Sequence, residues 1–424
     1  SGDGKTLDIT IQITSDTPTT FAKMISTNQL TTTVTSTARV TITAGVFAGG
    51  SALWSTGPTC DANGGIWLTG TAKILIKGGG AYSKSCISVA SSPSGILSDG
   101  APILYSGKDG NNVTTKTVGG TTVYLGVAGQ SGSNGLMLAT WQNAYVLVEP
   151  TLTFPTYYNY QVKSGPVPNA SIPEAVWPQY IPLQDSPTFT EAMAEQSCTG
   201  LTDYGTPSSS VVTYNPGLYT SISPGSVDIT LNPGIYCIKP GGSVNFTQNT
   251  VTANNTIIYF QGAGSLNVTN GIKTVSMNNS SIYLTNGDFM VDQGTFNADN
   301  ITIYIKQGNF WLKNGAYGAT MVAPDCDNSS CGVGPSIKGV LVYMDPANTG
   351  TFNIMNGNGT HHLTGTIYAP NALAVFDGGT STNTMDIQLI AKRIALSGSA
   401  AITMDTDNGD LYSGGGSTSI ELLK

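Results

Sequence analysis

The sequence predicts an all-β protein whose C-terminal half is a β-solenoid, a β-helix-like stack of short coils. The first observation is that short strands carrying an Ile-Tyr or Val-Tyr pair recur in this half. Their tyrosines lie 24, 21, 39 and 25 residues apart, at Tyr259, Tyr283, Tyr304, Tyr343 and Tyr368. A period in the low twenties indicates stacked coils, each of which buries one face against the next. The second observation is a repeated Pro-Gly-x-Tyr sequence, at Pro216 and Pro233, that marks type II turns.

The composition is the third observation, and it also excludes classes of function. Charged residues make up 10% of the chain and hydrophobic residues 39%, which suits secreted β proteins rich in Thr, Ser, Asn and Gly. The formal net charge is −8, and Arg39 and Arg393 are the two arginines. Without a basic track, binding to nucleic acid or to an anionic membrane is disfavoured. No apolar run approaches a membrane span, so we expect no transmembrane segment in this chain.

Residues 1–50 are predicted to form an N-terminal β arm. Leu7, Ile9, Ile11 and Ile13 alternate with polar residues, which is the pattern of a half-buried strand, and residues 30–43 alternate in the same way. A terminal strand with one apolar face must join a sheet. It could pair within its own domain, or be donated to the sheet edge of a neighbouring subunit and so build a filament.

Three further regions follow this arm. Residues 51–149 alternate short strands with Gly clusters and predict a β-rich domain with glycine turns. Residues 150–198 hold eight prolines and predict an extended connector that ends in a short helix starting near Ser186. Residues 199–424 form the predicted solenoid.

The six cysteines form three local groups, which favours three disulfides and an extracellular or cell-surface location. The groups are Cys60 with Cys86, Cys198 with Cys237, and Cys326 with Cys331. The sequence alone permits fifteen pairings, and six buried free thiols are the alternative.

One segment is a candidate structural calcium site. Asp405 and Asp407, followed by Gly409 and Asp410, resemble the start of an oxygen-ligand calcium loop. The glutamate that closes an EF-hand is absent at the expected distance. An Asx-rich turn without a metal ion is the alternative reading.

No convincing catalytic set is visible, and we predict that the chain is not an enzyme. The acidic residues of the C-terminal half lie beside Gly or Asn, where Asp is an ordinary turn residue. They are Asp288, Asp292, Asp299, Asp345, Asp377 and Asp386. Adjacent His361 and His362 would point to opposite faces of a strand, so they do not readily chelate one metal ion. Trp311, Tyr317 and Phe376 could stack on sugar rings if exposed, although inward core positions are the alternative for each.

Several motifs resemble one protein family. Residues 231–239, Leu-Asn-Pro-Gly-Ile-Tyr-Cys-Ile-Lys, resemble the "LNPGxYxIxGG" signature in the ectodomains of TadG-like proteins of the bacterial tight-adherence (Flp/Tad) pilus system. Residues 338–346 resemble its "GxxxYxDP" strand, residues 363–370 its "LxGxIYAP" strand and residues 394–398 its "LSG" turn. The motifs occur in matching order over most of the chain. The hydrophobic N-terminal helix that tethers such proteins is not seen in this sequence.

The resemblance implies a surface-exposed, pilus-associated structural or adhesive protein. The implied partners are other copies of the chain or pilus subunits, with host or matrix glycans as further candidates. The alternative is a carbohydrate-binding or polysaccharide-degrading β-helix protein.

Overall fold

All regular structure that the computed structural model describes is β-strand, which confirms the all-β prediction. The structure describes residues 5–17, 30–43, 51–58, 64–77, 80–83, 87–89, 95–99, 103–105, 113–118, 121–126, 138–141, 187, 198–247, 250–269, 274–313, 318–326, 336–356, 360–378, 382–406, 411–412 and 417–423. The predicted helix after Ser186 and most of the connector at 150–198 lie outside these residues.

The strands of the N-terminal region are β1 (Lys5–Thr17), β2 (Leu30–Thr43), β3 (Ser51–Ser55), β4 (Gly65–Leu68), β5 (Lys73–Lys77), β6 (Gly80–Ser83), β7 (Ile87–Val89), β8 (Gly95–Asp99), β9 (Ile103–Tyr105), β10 (Val113–Val118), β11 (Thr121–Gly126) and β12 (Leu138–Trp141). The C-terminal region contains β13 (Asp203–Gly205), β14 (Thr213–Tyr214), β15 (Gly217–Tyr219), β16 (Ile229–Leu231), β17 (Gly234–Ile238), β18 (Gly242–Thr247), β19 (Val251–Thr252), β20 (Thr256–Thr269), β21 (Thr274–Ser276), β22 (Ser280–Asn286), β23 (Phe289–Val291), β24 (Thr295–Ala298), β25 (Ile301–Ile305), β26 (Phe310–Leu312), β27 (Gly318–Val322), β28 (Val340–Met344), β29 (Thr351–Asn356), β30 (Thr360–Gly378), β31 (Thr382–Gly398), β32 (Ala401–Asp405) and β33 (Ser417–Leu423).

Most of these strands form three ladders of parallel strands, and each strand pairs with the strand one repeat further on. Ladder 1 contains β13, β15, β17, β20, β22, β25, β28, β30 and β31. Ladder 2 contains β18, the end of β20, β23, β26, β29 and the ends of β30 and β31. Ladder 3 contains β14, β16, β19, β21, β24, β27, the starts of β30 and β31, and β32. We call three consecutive strands, one from each ladder, a rung.

The N-terminal region extends all three ladders beyond the last rung of the C-terminal region. β3, β6 and β9 continue ladder 1 from β31, and β4 and β7 continue ladder 2. β5, β8 and β12 continue ladder 3 from β32. Residues 48–183 and 187–412 accordingly fall in one compact unit, a continuity that the predicted boundary between 51–149 and 199–424 does not anticipate.

Alternate side chains of the three ladders form one hydrophobic core. In β26, for example, Phe310 and Leu312 belong to this core, whereas Trp311 between them lies on the other face of the strand. This arrangement follows from the two-residue period of a strand. Phe289, Phe310 and Phe352 occupy one inward column, with ring centroids 5.1 and 4.8 Å apart.

The central strands of ladder 1 are buried on both faces, as the all-buried strands β25 and β28 show. The five recurring tyrosines lie in register on the face opposite the core. Their neighbouring ring centroids are 4.5 to 5.2 Å apart. The repeat that is visible in the sequence is therefore one continuous aromatic column. Strands buried on both faces read as uninterrupted apolar runs, as Val340–Met344 does.

A column of glycines forms the corner between ladders 1 and 2. A Cβ added at Gly264 would lie 2.5 Å from the carbonyl oxygen of Gly242, and one at Gly287 only 1.6 Å from that of Gly264. The same applies to Gly308 over Gly287 (1.9 Å) and Gly350 over Gly308 (2.0 Å). Each rung thus approaches the next so closely at this corner that glycine is required there.

Asparagine side chains connect the rungs at the corner between ladders 3 and 1. The Nδ2 of Asn232 donates to Oδ1 of Asn215, and the backbone N–H of Asn278 donates to Oδ1 of Asn254. Asn255, Asn279 and Asn300 adopt left-handed backbone angles, which Asn tolerates better than most residues. The corner polar groups are thereby satisfied along the stack.

A second compact unit consists of residues 1–47, 184–186 and 413–424. Its described part is a three-stranded antiparallel sheet in the order β1-β2-β33. β1 and β2 pair over their whole lengths, from Lys5 opposite Ile42 to Thr17 opposite Leu30. β33 pairs with the other edge of β2.

His361 occupies an inward position of ladder 3, opposite Ala319 of β27, and is 0% exposed. Burial, and to a smaller extent the neighbouring His362, lowers its pKa to about 4. An unfolded histidine titrates near 6.5, so the unfolded chain takes up a proton at a pH where the folded chain does not. His362 is exposed.

We expect the free energy of unfolding to decrease as the pH falls from about 6.5 to about 4, by up to about 3 kcal/mol from His361. No contribution from this group is expected above pH 6.5. Urea denaturation at graded pH would measure it. His361→Leu should remove this part of the pH dependence, and His362→Gln should retain it. The same slope in His361→Leu as in the native chain would contradict the assignment.

Candidate functional site

The outer face of ladder 2 is the best candidate surface for interactions, and we call it the tryptophan face. It carries the side chains that alternate with the core residues of this ladder. From β18 to β4 its central column contains Asn245, Asn267, Met290, Trp311, Asn353, Val375, Ala395 and Trp67. Amides, aromatic rings and small apolar groups therefore follow one line across strands that are far apart in sequence.

The two tryptophans of this face are partly buried, and a cationic side chain lies over each ring. The Nζ of Lys313 lies 5.7 Å from the ring centroid of Trp311, and the guanidinium of Arg393 lies 5.3 Å from that of Trp67. The Nε1 of Trp67 donates to the carbonyl of Gly64 at 2.7 Å. Four strand spacings separate the two residues, or about 19 Å. The cations stabilise the rings and give this face positive charge at two places.

Sequence reasoning placed only some of these residues. Trp311 lies on the outer face, as one of its two readings required, whereas Phe376 is a core residue and not a sugar platform. Tyr317 lies outside the described residues. The sequence did not indicate that three further residues belong to the same face: Trp67, Arg393 and Asn353. The Gly-Ile-Trp-Leu sequence of β4 signals an outward Trp67, but no local signal places it above Ala395.

Three of the six acidic residues named as catalytic candidates, Asp288, Asp345 and Asp377, accept hydrogen bonds that connect or close rungs. Asp288 accepts from the backbone N and the Nδ2 of Asn309, both at 2.9 Å. Asp377 accepts from Ser397 Oγ at 2.9 Å, on the next rung. Asp345 accepts from Ala347 N and from the Tyr304 hydroxyl. Burial, with the charge of Asp345, raises the pKa of Tyr304.

The calcium candidate is only partly described. Asp405 ends β32 and stands in register with Lys77, which is in register with Asp99 on its other side. Asp407 and Asp410 lie outside the described residues. Within the described ranges, no group of three or more His, Cys, Asp or Glu is arranged to hold a metal ion.

A disulfide closes the first rungs. Cys198 and Cys237 are bonded, as one of the predicted pairings requires, with Cα atoms 6.0 Å apart. Cys237 stands between Leu218 and Tyr259 in ladder 1. Cys326 is also disulfide-bonded. Cys60, Cys86 and Cys331 lie outside the described residues.

A separate stack of tyrosines occupies the first strands of ladder 1, where Tyr236 is in register with Ile258 and not with Tyr259. Tyr204 of β13 is 41% exposed and stacks on Tyr219, which stacks on Tyr236, with ring centroids 5.2 and 5.8 Å apart. Burial raises the pKa of Tyr219 to about 12. Asp203 accepts a 2.6 Å hydrogen bond from Lys239, which lowers the pKa of the carboxyl.

The predicted strand-donor residues pair within their own chain. Leu7 stands opposite Val40, Ile9 opposite Ala38, Ile11 opposite Ser36 and Ile13 opposite Val34. This is the intramolecular alternative of the two destinations that the alternation left open. β1 nevertheless lies at an edge of its sheet.

Among the described residues, there is no helix of the length and apolarity that crossing a bilayer requires. Comparison with models of protein families, with curated proteins and with solved structures found no match.

Proposed function

We propose that the three ladders are the faces of a parallel β-helix and that the chain is a structural or adhesive component of a bacterial extracellular appendage. The observation that carries this proposal is the single hydrophobic core that runs through the ladders from the C-terminal rungs into the N-terminal ones. Such a stack is a long, stiff body whose side faces are available for contacts.

The corners of the ladders support a mechanical role. Glycines meet backbone to backbone at one corner, and asparagines bond from rung to rung at another. The side chains of Asp288 and Asp377 likewise accept hydrogen bonds from a neighbouring rung. The polar groups of the described corners thus serve to hold the stack together, which is the property that a load-carrying or displaying surface needs.

The covalent clamp supports a location outside the cytoplasm. The Cys198–Cys237 bond closes a separation of 39 residues. Disulfides persist in oxidising compartments and are rare where glutathione and thioredoxin keep thiols reduced. The resemblance to TadG-like ectodomains points to the same place.

The test is to locate the protein and to remove it. Immunogold electron microscopy with an antibody against the folded chain should label surface appendages. Deletion of the gene should reduce appendages or attachment, and the native gene should restore them. Labelling confined to the cell interior, with Cys198 and Cys237 reduced, would contradict the proposal.

Glycan binding is the second candidate, and the partly exposed ring of Trp311 on the tryptophan face favours it. A glycan array would identify ligands, and Trp311→Ala should reduce their binding at least tenfold. Phe376→Leu is a matched control, because this aromatic residue belongs to the core. Lys313 already lies over the Trp311 ring. If no glycan on the array binds, the ring serves only as a packing partner of Lys313 and the glycan proposal is wrong.

A further inference from the structure

The order of the rungs in space differs from their order in the chain. The last rung of the C-terminal segment (residues 198–406) contains β31 and β32. The next strands in space are β3, β4 and β5, which begin the N-terminal segment (residues 51–141). At this point, which we call the junction, the polypeptide does not run directly from one segment into the other. Non-covalent contacts between paired strands hold them together.

The junction is held by the same main-chain hydrogen bonds as any other pair of rungs. Thr56 N donates to Ala391 O at 2.8 Å, and Gly57 N donates to Lys392 O at 2.9 Å. Thr69 N donates to Leu396 O at 2.9 Å, and Thr406 N donates to Lys77 O at 3.0 Å. The Nε2 of Gln388 also donates to Ser51 O at 3.0 Å. Without the N-terminal segment, these groups of β31 and β32 would form an open sheet edge.

The junction is also apolar in its centre. Leu53 faces Leu389, Ile66 faces Ile394, and Leu68 faces Leu396, and all six side chains are buried. Ile74 and Ile76 meet Ile402 and Met404 in ladder 3 in the same way. A C-terminal segment that lacks its partner would therefore expose a large apolar surface, and the N-terminal segment would lack the template for its first rung.

None of these contacts requires that the two segments belong to the same copy. The sequence between them, residues 142–197, is more than twice as long as one rung. An identical element that docks through a self-contained surface can be exchanged between copies.

Synthesis order favours such an exchange. The N-terminal segment is made first, before its own template at β31 and β32 exists. An assembly of exchanged copies has one unpaired C-terminal rung at its end. The N-terminal segment of the next copy can pair with that rung. Docking within one copy has the advantage of an effective concentration on the order of millimolar for a flexible link, so exchange should increase with protein concentration.

We propose that residues 51–141 of one copy dock on β31 and β32 of a second copy, so that copies join head to tail by segment exchange. When the exchange is not reciprocal, each docking leaves one C-terminal rung open, and the contact then propagates from copy to copy; a reciprocal exchange closes as a dimer. The proposal deepens the proposed structural function by naming a second copy of this chain as the partner.

Cysteine trapping of the full chain tests the exchange. Leu75 and Thr403 are in register across the junction, and both are partly buried on the face opposite the core. One copy would carry Leu75→Cys and the other Thr403→Cys, and the two would be expressed together. A disulfide between these positions links the copies only if the N-terminal segment of one lies on the C-terminal segment of the other. Non-reducing electrophoresis should show a covalent dimer that increases with expression level.

The control pair is Asn297→Cys in one copy and Thr320→Cys in the other. These residues are in register between β24 and β27, inside the C-terminal segment, and should give no dimer. A chain carrying both Leu75→Cys and Thr403→Cys reports whether the junction forms at all, because its two thiols disappear on oxidation. If that chain closes internally while the mixed copies never link, exchange is overturned. A protein that stays monomeric but labels the cell surface would overturn exchange and leave the structural role intact.

Discussion

Replacing Gly287 by alanine is expected to lower the free energy of unfolding by about 4 kcal/mol or more. The added Cβ would lie 1.6 Å from the carbonyl oxygen of Gly264, and the φ angle of +154° is one that other residues rarely adopt. Because Gly308 stacks on Gly287 in turn, the displacement would pass to the next rung as well. Chemical denaturation followed by circular dichroism would measure the loss.

Gly241→Ala is the matched control. Gly241 also has a positive φ of +81°, but no atom lies within 4 Å of its added Cβ. Only backbone strain should result, about 1 to 2 kcal/mol. Equal losses at Gly287 and Gly241 would mean that the close approach of the rungs contributes nothing.

Removing the Cys198–Cys237 disulfide is expected to give the second large effect. The chain-entropy relation for a separation of 39 residues gives a loss of about 4 kcal/mol in a Cys198→Ala/Cys237→Ala variant. In a stack whose rungs contact only their neighbours, this loss should be concentrated in the first rungs.

Hydrogen exchange would locate that effect. Amides of β13 to β17 should exchange faster in the variant, whereas those of β25 and β26 should keep their protection. The full-length reduced native chain is not a suitable control, because Cys326 is disulfide-bonded too. Uniformly faster exchange would contradict a local clamp and indicate global loss of stability.

Local patterns in the sequence account for much of the fold. The alternation in residues 7–14 and 30–43 predicted two strands, and the structure pairs them. The recurring tyrosines predicted repeated strands, and they stand in register. His361 alternates with Leu363, so the period of two could have indicated that this histidine faces the core.

The return of residues 51–141 to the end of the C-terminal ladders had no such signal. Leu53 and Leu389 pair although they are more than 300 positions apart in the sequence. Main-chain hydrogen bonds do not depend on side-chain identity, so the sequence does not show which distant strands pair. The same reason explains why Trp67 was not assigned to the face of Trp311, and why Lys77 was not seen to neighbour Asp405.

The order of rungs has a consequence for the chain as a whole. A circularly permuted protein that begins near residue 198, runs through 406 into 51 and ends near 141 would follow the rungs in unbroken succession. In that arrangement, the sheet of β1, β2 and β33 becomes an insertion between β32 and β3. The order of the paired strands along the chain is therefore a permuted version of their order in space.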